Sequence, residues 1–231
     1  MINRLRILTR FSLPALFMIL LGSSCSSNDS YYYPSVKQEF VTAQSAPDGS
    51  LKSILTDGGQ NLEVVEDASN THINADSFVR IVCNYASMDA SGEASSGIKL
   101  YNLLKAIAPL PQPVGYFKNG GVKNDPADVL SIWMGLDYLN IILKIKAQNG
   151  KHLFSFVEDQ VVTASDAGER MIYLSLYHDA GGDVQAYTKR AYLSVPLRQY
   201  ATEGIAKIIV HFSLYTYADG MKTFQFEYNP K

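Results

Sequence analysis

Residues 208–228 read IIVHFSLYTYADGMKTFQFEY. Ile208, Val210, Phe212 and Leu214 alternate with other residues before Asp219-Gly220, and Phe224, Phe226 and Tyr228 alternate after it. Successive side chains of a strand point to opposite faces, and Asp-Gly supplies the positive backbone angles of a tight hairpin turn. The stretch therefore predicts an antiparallel hairpin with one apolar face and sets the second half of the chain as β-structure.

The residues before it follow the same pattern. Leu139, Ile141, Leu143 and Ile145 alternate with Asn140, Ile142, Lys144 and Lys146, and Gln148-Asn149-Gly150 reads as a hairpin turn before a returning strand at 153–157. Residues 171–178 and 187–197 read as two more strands, joined through a Gly181-Gly182 hairpin tip. Six or seven strands in residues 126–231 predict an antiparallel β-sandwich. One segment breaks the pattern. Pro126 starts a run in which Val129, Ile132, Trp133 and Leu136 fall at helical spacing, which predicts one short helix near residues 126–136.

Ahead of the sandwich, the Pro-rich stretch Ala108-Pro109-Leu110-Pro111-Gln112-Pro113 favours extended chain, and residues 109–125 read as a linker. Residues 37–108 carry short apolar runs separated by Asp48-Gly49 and Asp57-Gly58-Gly59, with Val79, Ile81, Cys83 and Tyr85 on one face of the clearest strand. Four or five strands at this spacing predict a small barrel. The chain is read as all-β, and its fifteen Tyr and ten Phe suit pleated, half-buried surfaces.

The first residues read as an export signal. Arg4, Arg6 and Arg10 precede an apolar run, and Gly22-Ser23-Ser24 lead to Cys25. The run is about half of the roughly 20 residues a spanning helix needs. Residues 1–24 are therefore expected to be a lipoprotein signal peptide. Cys25 is expected to be acylated as the membrane anchor, and residues 25–36 to be a polar tether. Acylation of Cys25 leaves Cys83 without a disulfide partner, and Cys83 is expected to be a buried structural thiol.

Removing residues 1–24 leaves 207 residues with 17 basic and 22 acidic side chains. This mild acidity argues against a nucleic-acid partner, which wants a basic face. His72, His152, His178 and His211 share no ligand spacing, and no paired cysteines accompany them, so no metal site is expected. Asp179-Ala180-Gly181-Gly182-Asp183 lacks the alternating oxygen ligands of a calcium loop. Asp57, Glu63, Glu66 and Asp67 cluster in sequence but flank turns. Gly-x-Ser-x-Gly is absent. No catalytic residue, cofactor or specific ligand-binding residue is assigned, and an enzyme is not expected. Tyr173, Tyr177, Tyr187, Tyr192, Tyr215 and Tyr217 lie on or near strands, where they either fill core or form a binding row.

Several stretches together carry a family resemblance. They are Gly22-Ser23-Ser24-Cys25, Tyr31-Tyr32-Tyr33-Pro34-Ser35-Val36, Glu39-Phe40-Val41-Thr42 and Leu62-Glu63-Val64-Val65-Glu66-Asp67. Arg80-Ile81-Val82-Cys83-Asn84-Tyr85, Tyr192-Leu193-Ser194-Val195-Pro196-Leu197 and the final aromatic hairpin complete the set. The chain resembles the NigD-like lipoproteins of Bacteroides-type bacteria. The resemblance implies an N-terminal OB-type barrel, a C-terminal β-sandwich and a lipid at Cys25. The lipid-anchored chain is expected in the cell envelope at the outer membrane, facing either side. It implies no enzymatic activity. The expected role is a non-enzymatic envelope binding module for a protein, peptide or glycan. Bacteriocin immunity, a hydrolase with a non-contiguous active site and a subunit of a surface assembly are the alternatives.

Overall fold

The computed structural model describes residues 35–88, 97–117, 120–163 and 168–230. The expected signal peptide at 1–24, Cys25 and all of the tether before Ser35 lie outside these residues.

The first five strands are β1 (Lys37–Ser45), β2 (Leu51–Thr56), β3 (Asn61–Asp67), β4 (Phe78–Ser87) and β5 (Gly97–Lys105). They close into a barrel in the order β1-β2-β3-β5-β4, with β3 and β5 parallel. Val41, Ala43, Ile54, Ile81, Cys83 and Leu100 fill its interior. The predicted turns at Asp48-Gly49 and Asp57-Gly58-Gly59 join β1 to β2 and β2 to β3. Gly49 sits at φ +82°, and a Cβ there would come within 2.6 Å of the Ile73 carbonyl oxygen, so this turn requires glycine. Burial pushes the Cys83 thiol up to about 12, consistent with an inert packing role.

The remaining strands are β6 (Gln112–Pro113), β7 (Asp128–Met134), β8 (Tyr138–Ala147), β9 (Leu153–Thr163), β10 (Glu169–Asp179), β11 (Tyr187–Pro196), β12 (Lys207–Thr216) and β13 (Gly220–Tyr228). They form two sheets, β13-β12-β10-β9-β6 and β11-β8-β7. Ile141, Leu143, Leu193 and Val195 of the smaller sheet share one core with Phe156, Ile172, Leu174, Val210 and Phe212 of the larger. β12 and β13 form the hairpin predicted from residues 208–228, with Thr216 opposite Gly220 at its tip. Most pairings are antiparallel, but β10 and β12 run parallel, as do β6 and β9.

Three local expectations are corrected. The helix expected near 126–136 is strand β7. A bulge between Val129 and Ser131 leaves Leu130 exposed and shifts the side-chain phase. Val129, Ile132 and Met134 then all pack on the sandwich core. A one-residue bulge turns period two into a spacing of three, which imitates a helix in sequence. The expected hairpins at Gln148-Asn149-Gly150 and Gly181-Gly182 are both crossings between sheets, because β8 and β11 belong to one sheet and β9 and β10 to the other. A compact turn looks alike in sequence whether it returns along its own sheet or passes to the facing one.

The three-stranded sheet is covered on both faces. Its even-numbered residues Asn140, Ile142, Tyr192 and Ser194 face the barrel, and Asn140 and Ser194 are fully buried. Arg80, on the outer face of β4, is 5% exposed and sits in the middle of this junction. Its Nη2 donates to Asp57 Oδ1 at 2.6 Å and Oδ2 at 2.7 Å, and to Asn140 Oδ1 at 2.9 Å. Its Nε donates to Ser194 Oγ at 3.0 Å. Asn140 Nδ2 donates to Asp57 Oδ2 at 2.6 Å, and Ser194 Oγ donates to Asn140 Oδ1 at 2.7 Å. The guanidinium also lies 4.2 Å from the centre of the Tyr138 ring. A side chain at Gly135 would collide with the Asp57 carboxylate, so glycine there admits the approach. Removing one partner of a buried ion pair typically costs about 3–5 kcal/mol because the other charge is left unpaired. Asp57 is one-fifth exposed, which places the expected loss for Arg80→Met near the low end, about 3 kcal/mol. Asp57→Asn, which keeps an acceptor for Arg80, is expected to lose less. Urea denaturation of the two variants checks both the size and the order.

Candidate functional site at the barrel–sandwich junction

Beside Arg80 the junction opens into a cavity of about 370 Å³. Its apolar wall is Phe40 and Val82 from the barrel, which are paired across β1 and β4, with Trp133, Ile142 and Tyr192 from the three-stranded sheet. Phe40 meets Trp133 edge to face, with centroids 5.4 Å apart at 78°, and its centroid is 6.1 Å from that of Tyr192. These are favourable ring arrangements. The remaining lining is polar: Lys37, Gln38, Glu39, Thr56, Asp57, Gly58, Gln60 and Tyr85. The Tyr85 hydroxyl donates to Glu39 Oε2 at 2.8 Å, and burial with this carboxylate pushes the phenol above its ordinary range. Thr56 Oγ1 accepts from the Gln60 N–H, which fixes the turn at the rim.

An apolar floor under a few placed polar groups is the usual composition of a ligand pocket. The lining contains no serine, cysteine or histidine. Asp57 is already committed to Arg80, and Glu39 to Tyr85. The site is thus equipped to hold an apolar group and orient its polar end. Of the tyrosines singled out in sequence, only Tyr192 lines it. Tyr173 stacks on His211 at 4.6 Å, Tyr177 on Phe117 at 4.9 Å, and the Tyr217 hydroxyl accepts from the Lys146 N–H, so the six do not form one row. Sequence reading missed Arg80, Asp57 and Asn140 as a unit because they come from three separate strands or turns. The usable signals were an Arg within the apolar run Phe78–Cys83 and an Asn within the run Leu139–Ile142.

A second polar cluster lies at the far end of the sandwich. His178 Nδ1 donates to the Asp125 carbonyl oxygen at 2.9 Å, so its Nε2 accepts from His152 Nδ1 at 2.8 Å. His152 Nε2 lies 3.3 Å from Asp183 Oδ2. The chain ties the start of β9 to the end of β10 and to the two sheet-crossing turns. Among the described residues no group of three or more His, Cys, Asp or Glu could hold a metal ion.

Burial holds the His178 imidazole below its ordinary 6.5, against the opposing pull of Asp125 and Asp179. The Gln148 N–H, helped by those of Gly150 and Asn149, holds Asp183 down at about 2. In both cases the unfolded chain takes up its proton at a higher pH than the folded one. The stability these two groups contribute is therefore complete above pH 6.5 and falls as pH drops, first through His178 and then, below 3.8, through Asp183. The urea midpoint is expected to decrease from pH 7 to pH 5. His178→Phe, whose ring retains the stack on Phe154, is expected to be less stable overall but to lose this slope.

Residues 111–228 match the family model of the NigD-like C-terminal beta sandwich domain. A NigD-like immunity protein from Bacteroides caccae is 38% identical, with a TM-score of 0.70, and the match covers 87% of this chain and all of that one. A protein of unknown function from Bacteroides vulgatus shares the fold at 18% identity and a TM-score of 0.63, over 84% of this chain and 91% of that one. A lipoprotein candidate from Bacteroides fragilis does so at 17% identity and a TM-score of 0.54, over 86% of this chain and 99% of its own. No curated protein matches. With a closed five-stranded barrel, a two-sheet sandwich and a relative of this identity matched along its whole length, the chain belongs to the NigD-like family.

Proposed function

We propose that the chain is an envelope lipoprotein, anchored through Cys25, whose barrel and sandwich jointly bind a ligand in the junction cavity without catalysing a reaction. The observation that carries this reading is the cavity of about 370 Å³ walled by Phe40, Trp133 and Tyr192. Its residues come from both modules, so the site exists only when they are joined. The ligand presents an apolar group to the wall and a polar end to Gln38 and Gln60, as a side chain of a peptide or protein does. The lipid keeps the cavity at the membrane, where more than one acyl chain gives stable anchoring.

Trp133 is the single tryptophan of the chain, so its emission reports the cavity directly. Titration with the neutral apolar dye N-phenyl-1-naphthylamine is expected to change Trp133 emission saturably. Val82→Phe, which adds a ring to the apolar wall and narrows the cavity, is expected to abolish the response while thermal unfolding stays near that of the parent. A linear, unsaturable response in the parent counts against the site. Cys25→Ala is expected to move the protein from the membrane to the soluble fraction of cells.

Bacteriocin immunity is a second reading, supported by the 38% identity to the NigD-like immunity protein. There the ligand is a toxin held at the envelope. Unchanged toxin sensitivity in a deletion strain removes this reading and leaves the binding role intact.

A further inference from the structure

The free edge of β11 offers a second binding surface, separate from the junction cavity. β11 is the outer strand of the sheet β11-β8-β7. Its later half is already covered, because the Ile107 N–H donates to the Tyr192 carbonyl and the Ser194 N–H donates to the Ile107 carbonyl, each at 2.9 Å. These bonds show that even-numbered residues turn their backbone groups away from β8. The pairing of β11 with β8 runs without a register shift from Tyr187 to Pro196. Thr188 and Arg190 therefore present their N–H and C=O groups to the same open side, ahead of Ile107. Tyr187, Thr188, Lys189 and Arg190 are all exposed.

This open half borders a groove of about 320 Å³ with an apolar floor that includes Ile107, Ile145, Phe154 and Ala191. Lys105, Lys189 and Arg190 stand around it, and the lining has no carboxylate. Lys189 donates to the Gln148 carbonyl, and none of the three cations has an ion-pair partner among the described residues. The geometry points to β11 as the docking edge for an extended acidic peptide segment of a partner protein. Strand addition supplies main-chain hydrogen bonds, and alternate side chains supply specificity. The charge selects the occupant. A second copy of this edge would set Lys189 and Arg190 against themselves, which is how edge lysines suppress self-association. An acidic strand neutralises them. The edge strand β13 of the larger sheet has mixed charge, with Glu227 paired to Lys207, and lacks this cationic setting.

The test uses the full chain in detergent and a fluorescein-labelled octapeptide of alternating valine and glutamate, read by fluorescence anisotropy. Saturable binding is expected, with no binding of the valine–lysine counterpart. Thr188→Pro removes an outward N–H without touching the β8 ladder, and is expected to weaken binding by about tenfold or more. Arg190→Glu is expected to weaken the glutamate peptide and admit the lysine one. If Thr188→Pro does not fold, N-methylation at alternate residues of the peptide replaces it, with the same loss expected. The proposal is overturned by an absence of saturable binding, or by binding indifferent to both the proline variant and N-methylation. Uptake of dodecanoate without peptide binding would assign the groove to an acyl anion and also overturn it. So would peptide binding that changes Trp133 emission and disappears in Val82→Phe, since that places the peptide in the junction cavity.

Discussion

Arg80 is a charge that the fold has taken almost wholly out of water, and the union of barrel and sandwich follows from how it is satisfied. A guanidinium cannot relieve burial by losing its proton, so its donors need acceptors. Here the acceptors come from the turn after β2, from β8 and from β11. No one module holds the complete set. Such a pair contributes little net stability over an apolar filling, but its fixed donor geometry sets the alignment of the two surfaces. Asn140 and Ser194 are fully buried, and each finds its partners within this group, which is what makes two polar residues tolerable there.

The same constraint explains the unusual character of the three-stranded sheet. A sheet with one solvated face reads as clean alternation, whereas one covered on both faces reads as a continuous apolar run. β8 lies between these patterns because its second face is covered by the barrel rather than by a helix. Leu139, Ile141 and Leu143 go to the sandwich core, while Ile142 goes to the junction with Tyr192 and Trp133. Lys144 and Lys146 mark where the barrel no longer covers the sheet. Lys144 pairs with Asp128 and Lys146 lies over the Tyr217 ring.

Much of this architecture was legible because strand periodicity and turn chemistry are local. The Asp-Gly hairpin, the two barrel turns and the burial of Cys83 all follow from residues within a few positions of one another. What was not legible depends on where a chain goes after a turn. Gln148-Asn149-Gly150 and Gly181-Gly182 have hairpin composition, yet each carries the chain across the sandwich, and the Asp183–His152–His178 chain that joins them involves residues up to 31 positions apart. β7 failed for a different reason. The bulge at Leu130 rewrote the phase of the strand, and no residue at that position announces a bulge. Asp57 looked like ordinary turn acidity because its partner lies 23 residues away.

The candidate site has the same non-local origin, which bears on whether the cavity is more than an imperfect joint. Protein interiors are packed about as densely as organic crystals, and voids among apolar side chains lose dispersion contacts. A junction shaped only for adhesion would bring Phe40, Trp133 and Tyr192 together until the space closed. At this junction the rigid elements are the polar ones. The Arg80–Asp57–Asn140 geometry sets the separation of the two surfaces, and Gly135 lets Asp57 come as close as that geometry requires. Beside it Phe40 meets Trp133 edge to face and lies tilted against Tyr192, and all three line the opening. A separation imposed by hydrogen bonds, next to aromatic walls left unfilled, supports the proposed reading of the cavity as a binding pocket, in which the ordering of the walls would be complete before a ligand arrives.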